Sequence, residues 1–125
     1  MLDYLRIEKT AKTPEVYLDK NKGEIFFGGI SIPENTVTFF QDILDWIKEY
    51  MSNPELETRI IFKLEYFNTS SSLVFLNIFK MFTDIKSNLI IDWYYEEDDT
   101  EMFEVGKDLQ RLIDCEFNLI SLDSF

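Results

Sequence analysis

The chain contains no histidine. The side chain best suited to moving protons near neutral pH, which is also the commonest metal ligand, is therefore missing. A single cysteine, Cys115, leaves no partner for an internal disulfide or a cysteine-cluster zinc site and fits a reducing compartment. Its neighbours Asp114 and Glu116 would raise the thiol pKa and make it a poor nucleophile. Glycine occurs only at 23, 28, 29 and 106, which builds neither a phosphate-cradling P-loop nor a dinucleotide fingerprint. No apolar run approaches the roughly 18 residues of a membrane span, and the N-terminus has neither the basic nor the long apolar region of a signal peptide. These absences predict a soluble, cytoplasmic protein that is not an enzyme, uses no cofactor and does not engage membranes.

What is abundant is negative charge and aromatic bulk. Twenty-four acidic residues against twelve basic ones give a formal charge of −12, which repels a phosphate backbone and argues against nucleic acid as a partner. Twelve phenylalanines and an aromatic content of 16% supply a core, and 125 residues are the usual size of one domain, so residues 1–125 are expected to fold as a single unit. The densest set of oxygen ligands is Glu96-Glu97-Asp98-Asp99 with Glu101. It lacks the alternating spacing and central glycine of a calcium loop. Asp98 or Asp99 is better read as the cap of a following helix, with acidic neighbours opposite its dipole, and no metal site is expected.

Residues 2–7 and 16–19 read as extended, Asn21-Lys22-Gly23 as a turn, and residues 24–27 as the returning strand of a hairpin. Ser31-Ile32-Pro33-Glu34 has the spacing of a capping box and predicts a helix to about Met51, ended by Asn53-Pro54. Residues 59–67 predict a strand whose apolar face is Ile60, Phe62, Leu64 and Tyr66. A polar cluster then opens a second helix to about Lys86, followed by a strand over 88–95, a helix over 101–113 and a short strand over 117–120. Alternating strands and helices imply crossovers building a largely parallel sheet, made mixed by the leading hairpin: an α/β fold with about three crossover helices.

The first helix is apolar over two stripes, Val37, Phe40, Leu44, Ile47, Met51 and Phe39, Ile43, Trp46, Tyr50. One stripe suffices to pack a helix on a sheet, so the second either slots under a neighbouring element or forms a partner surface. The second helix poses the same choice, with Asn77, Lys80, Asp84 and Ser87 as its narrow polar edge. Trp46, Tyr50 and Phe75 are the candidate aromatic anchors for a partner. The most specific element is Tyr66-Phe67-Asn68-Thr69-Ser70-Ser71-Ser72. Asn68 or Thr69 can cap the helix with one oxygen, and the remaining hydroxyls exceed that need. They are either solvated first-turn residues or a kinase target at the positive end of a helix.

Four segments together, Thr13-Pro14-Glu15, Ser31-Ile32-Pro33-Glu34-Asn35, Tyr66-Phe67-Asn68-Thr69-Ser70-Ser71 and Trp93-Tyr94-Tyr95, resemble the SiaC family of bacterial regulatory phosphoproteins, whose fold is similar to the STAS domains of anti-anti-sigma factors. The resemblance implies partner switching. A cognate serine/threonine kinase phosphorylates a threonine in the Asn-Thr-Ser-Ser element, a PP2C-type phosphatase removes the phosphate, and the unphosphorylated form binds an effector such as a diguanylate cyclase, in cyclic-di-GMP and biofilm signalling. Carried over by motif, the phosphoacceptor is Thr69, with Ser70, Ser71 and Ser72 as alternates, and Asn68 and Thr69 belong to the partner contact. Two other readings compete: a non-switching oligomeric interaction subunit, and a metal-binding enzyme built on carboxylates.

Overall fold

The first chain reversal follows from two local devices. The backbone N–H of Lys22 donates to Asp19 Oδ1 at 3.0 Å, and Gly23 adopts φ +63° where a Cβ would lie 2.5 Å from the Glu57 carbonyl oxygen. Only glycine combines that dihedral with that approach. The result is the predicted hairpin, β2 (Glu15–Asp19) and β3 (Glu24–Ser31), with β1 (Tyr4–Ile7) added antiparallel on the outer edge of β2. The computed structural model describes residues 2–83 and 87–125; the expected helical residues Asp84, Ile85 and Lys86 lie outside them.

From β3 onward each strand returns parallel to the last: α1 (Thr36–Tyr50) leads to β4 (Glu57–Phe67), α2 (Thr69–Met81) to β5 (Asn88–Glu96), and α3 (Thr100–Leu112) to β6 (Glu116–Leu122). The six strands lie in the order β1-β2-β3-β4-β5-β6, a mixed sheet with an N-terminal antiparallel part and three helices. One alternating set of strand side chains joins all three helices in a single core. At its centre Phe62 meets Phe27, Phe75, Phe79 and Trp93 with ring centroids 5.1–5.5 Å apart, each pair worth about 0.5–1.5 kcal/mol beyond its area. Gly106 lets α3 settle onto the sheet, because a Cβ there would stand 2.6 Å from Trp93 Cδ1 and from Leu119 Cδ2. The alternate strand residues form the second sheet face, where Tyr4, Tyr17 and Phe26 stack and Asp92 accepts from Arg59 and from Asn118 Nδ2.

Two expectations are corrected. The capping box at Ser31 and Glu34 is not formed: Ser31 is still paired with Phe67 as the last residue of β3, and Pro33 keeps Ile32 out of helical geometry. Asn35 caps α1 instead, its Oδ1 accepting from the Thr38 N–H at 3.0 Å. Tyr66 does not lie on the apolar face of β4. The register against β3 steps between Gly29, which faces Leu64, and Ile30, which faces Tyr66, so Glu65 is unpaired there. That bulge reverses the alternation, turning Tyr66 out to solvent and Phe67 in against Phe75 and Trp93.

Candidate functional site

The polar run after β4 sits where strand ends and helix begins. Asn68 has extended backbone (φ −87°, ψ 174°), and its Oδ1 accepts from the Ser71 N–H at 2.9 Å, so it is the N-cap of α2. Its own N–H donates to the Ser31 carbonyl at 3.1 Å, tying the helix start to the end of β3. The four hydroxyls that follow are sharply differentiated. Ser71 is fully buried at 0% exposure: its Oγ pairs with Ser31 Oγ at 2.8 Å and donates to the Ser31 carbonyl at 3.0 Å. Ser70 is exposed, but its Oγ meets Thr36 Oγ1 at 2.8 Å and Asn68 Oδ1 at 3.1 Å. Ser72 donates to the Thr69 carbonyl at 2.7 Å. Thr69 is exposed, and its hydroxyl has no partner among the described residues.

The elements around Thr69 also carry exposed apolar side chains. The Thr36–Ser70 contact brings the first turns of α1 and α2 together, and Val37 follows Thr36 in α1. Leu73 stands one helical turn after Thr69 on the same face, and Tyr66 lies just before the cap. All three side chains are more than half exposed. Lys12 is brought to this end of the sheet because its carbonyl accepts from the Ile32 N–H, one residue past Ser31; its ammonium pairs with Glu34 at 3.2 Å. Sequence reasoning did not find Val37, Tyr66, Leu73 or Lys12 as site residues. Val37 reads as part of an apolar helix stripe, Tyr66 as part of a strand's apolar face and Leu73 as part of the broadly apolar second helix, and Lys12 lies 57 positions from Thr69 in the chain.

The three aromatic anchors proposed for a partner are corrected. Trp46, Tyr50 and Phe75 are all buried within the domain. The Trp46 ring stacks on Tyr50 at 5.4 Å and donates to the Leu2 carbonyl; the Tyr50 hydroxyl meets Thr58 Oγ1 at 2.8 Å; Phe75 fills the space between Phe27, Phe40, Phe62 and Phe67. The second stripe of α1 thus slots under the N-terminal segment and the start of β4. None of the three is open to solvent, whereas Thr69 is exposed and Asn68 half-buried.

The acidic run is occupied by structural work. Asp99 caps α3, its Oδ1 accepting from the Met102 N–H at 3.0 Å, and Glu96 Oε1 accepts from the N–H of Phe125. Among the described residues no three carboxylates or thiols gather as a metal-ligand group. Burial pushes the Cys115 thiol up, with Asp114 and Glu116 adding to the shift. Among the described residues no helix is long and apolar enough to cross a membrane.

The fold matches known structures closely. A chain of the crystal structure of diguanylate cyclase SiaD in complex with its activator SiaC, from Pseudomonas aeruginosa, superposes with a TM-score of 0.88 at 21% identity, over 94% of this chain and 99% of that one. The crystal structure of apo-SiaC from the same organism superposes with a TM-score of 0.85 at 22% identity, over 95% and 99% of the two chains. In sequence, the uncharacterized protein PA14_02130 of Pseudomonas aeruginosa (strain UCBPP-PA14) is 24% identical over 116 residues, 90% of each chain. Residues 7–122 match the profile of the SiaC family regulatory phosphoproteins, and the chain belongs to that family.

Proposed function

We propose that this protein is a non-enzymatic partner switch whose state is written on Thr69: unphosphorylated, it binds and activates a diguanylate cyclase; phosphorylated by a serine/threonine kinase, it releases it until a PP2C-type phosphatase restores the hydroxyl. The observation that carries the reading is the contrast among the four hydroxyls. Ser70, Ser71 and Ser72 are each held by the fold, whereas Thr69 is exposed with no hydrogen-bond partner among the described residues.

The chemistry of the switch follows from that setting. A partner that covers the exposed start of α2, where Leu73 follows Thr69 by one helical turn, also covers the Thr69 hydroxyl, which costs little because one neutral group is readily satisfied by a partner acceptor. A phosphate at the same oxygen carries about −1.5 to −2 charges, and burying it without a paired cation costs several kcal/mol. Each 1.4 kcal/mol is about tenfold in affinity, so the modification shifts binding by orders of magnitude without refolding the domain. Lys12 is held by Glu34 and its charge is already partly answered.

The test is to treat wild type, Thr69→Ala and Ser70→Ala with the cognate kinase, locate phosphate by mass spectrometry, and measure affinity for the cyclase in each state. Thr69→Ala should take up no phosphate and bind constitutively. Full phosphorylation of Thr69→Ala, or equal affinity with and without phosphate on Thr69, would refute the proposal.

A further inference from the structure

The start of α2 offers a kinase two exposed hydroxyls rather than one. Burial removes Ser71, and Ser72 is half-buried with its proton given to the Thr69 carbonyl. Ser70, however, is exposed as Thr69 is. Exposure alone does not choose between neighbours in the chain.

The setting of Ser70 follows from the sheet. β3 and β4 end side by side, with Ser31 facing Phe67 and the Asn68 N–H donating to the Ser31 carbonyl. Helices that leave adjacent strand ends begin as neighbours. Thr36, the first residue of α1, therefore meets Ser70, the second of α2, although 34 positions separate them, and Thr36 Oγ1 lies 2.8 Å from Ser70 Oγ. Thr36 is itself half-buried.

The protons of this contact can be assigned. Asn68 Oδ1 accepts from the Ser71 N–H at 2.9 Å, which fixes the orientation of the amide, so the approach of 3.1 Å from Ser70 Oγ to the same oxygen is a donation by the serine. A hydroxyl has one proton to give. Ser70 must then accept in its contact with Thr36, and the Thr36 hydroxyl donates. The proton of Ser70 points into the helix cap and one of its lone pairs is covered by α1. Thr69 has neither engagement among the described residues.

Phosphoryl transfer needs what this arrangement withholds. The acceptor oxygen uses a lone pair to form its bond to the γ-phosphorus of a nucleoside triphosphate, the bond from that phosphorus to the β-phosphate oxygen breaks, and the nucleoside diphosphate leaves. The hydroxyl proton passes to a base of the kinase. Ser70 has to leave both partners before it can react, and Thr69 has to leave none.

We infer that Thr36 determines which hydroxyl is phosphorylated: by donating to Ser70 across the helix starts it masks the second exposed acceptor and confines phosphoryl transfer to Thr69. It acts through Ser70 and is a positioning residue. This inference rests on the partner-switch reading for the presence of a kinase at this helix start.

The test uses the full chain, the kinase of the switch and a nucleoside triphosphate, with mass spectrometry reading which hydroxyl carries phosphate and how fast. Wild type should be modified on Thr69 alone, and Thr69→Ala should stay unmodified over the same time. Thr36→Val with Thr69→Ala should take phosphate on Ser70 at least fivefold faster than Thr69→Ala does, within the two- to twelvefold or so that one net hydrogen bond carries. Thr36→Ser with Thr69→Ala keeps the hydroxyl and should mask Ser70 again. Thr36→Ala with Thr69→Ala is the second variant without the hydroxyl, and urea midpoints near that of Thr69→Ala show that each protein is folded. Equal rates on Ser70 with and without the Thr36 hydroxyl would overturn the masking, as would failure of Thr36→Ser to restore it. Independently of any kinase, proton couplings at the Ser70 Cβ should report one side-chain rotamer in the wild-type protein, and averaging there would overturn the masking too. If wild type is modified on Thr69 but the Thr36 variants leave Ser70 unchanged, the masking falls and the Thr69 reading stands. If wild type takes no phosphate on Thr69 while Thr36→Val opens Ser70, the Thr69 reading falls and the masking stands.

Discussion

Substituting the buried hydroxyl of Ser71 separates the structural serine from the threonine proposed as the phosphoacceptor. In Ser71→Ala the protein loses the contact of 2.8 Å to Ser31 Oγ and the donation of 3.0 Å to the Ser31 carbonyl, and Ser31 Oγ is left buried with its one hydrogen-bond partner gone. A buried polar group stripped of its partner costs about 1–3 kcal/mol. A domain of this size loses about 3–5 °C of thermal midpoint per kcal/mol, so a fall of about 3–15 °C is expected. The double change Ser31→Ala with Ser71→Ala should recover much of that loss, because removing both partners leaves nothing unsatisfied. Thr69→Ala should stay within about 0.7 kcal/mol of wild type, the span of ordinary helix propensities, since its hydroxyl makes no hydrogen bond among the described residues. Urea denaturation of wild type and the three variants reads the stabilities, and kinase treatment followed by mass spectrometry reads the acceptor. A Ser71→Ala protein as stable as wild type, or phosphate found on Ser71 in the folded protein, would refute the assignment of roles.

Further outcomes follow from other parts of the fold. Burial against the sheet face and then the charge of Glu24 push the Tyr17 phenol up to about 12 from an ordinary 10.0. Because the folded pKa is raised, the stabilisation by the neutral phenol is complete below pH about 10 and lost as pH rises towards 12; ultraviolet titration should show a late component that is lost in Tyr17→Phe. Gly106→Ala places a methyl group 2.6 Å from Trp93 and Leu119 and should cost about 1–3 kcal/mol in chemical denaturation; an unchanged midpoint would contradict the packing of α3. Cys115, its thiol raised by burial and by two acidic neighbours, should react slowly with a disulfide reagent at pH 8, and Asp114→Asn with Glu116→Gln should speed the reaction.

Much of this protein was legible without coordinates because its signals are local. Asn21-Lys22-Gly23 makes a hairpin whatever surrounds it; Asn68 and Asp99 cap helices with their own side chains; the strand and helix periods differ, so the order of elements and a mixed, largely parallel sheet follow. The absence of histidine likewise argues against an enzyme, while the polar run at 68–72 by itself fits either solvated first-turn residues or a kinase target. What tertiary structure alone decided depends on partners distant in sequence. Ser31 and Ser71 stand 40 residues apart, and only their pairing turns one hydroxyl of a uniform run into core and leaves Thr69 outside. The bulge opposite Gly29 is a register effect between two strands, and it reverses Tyr66 and Phe67 against the alternation of β4 itself. The second apolar stripe of α1 is buried because residues 2 and 58 come to meet Trp46 and Tyr50. An apolar side chain carries the same pattern whether it faces a neighbouring element or a partner, and that distinction exists only once the neighbours are in place.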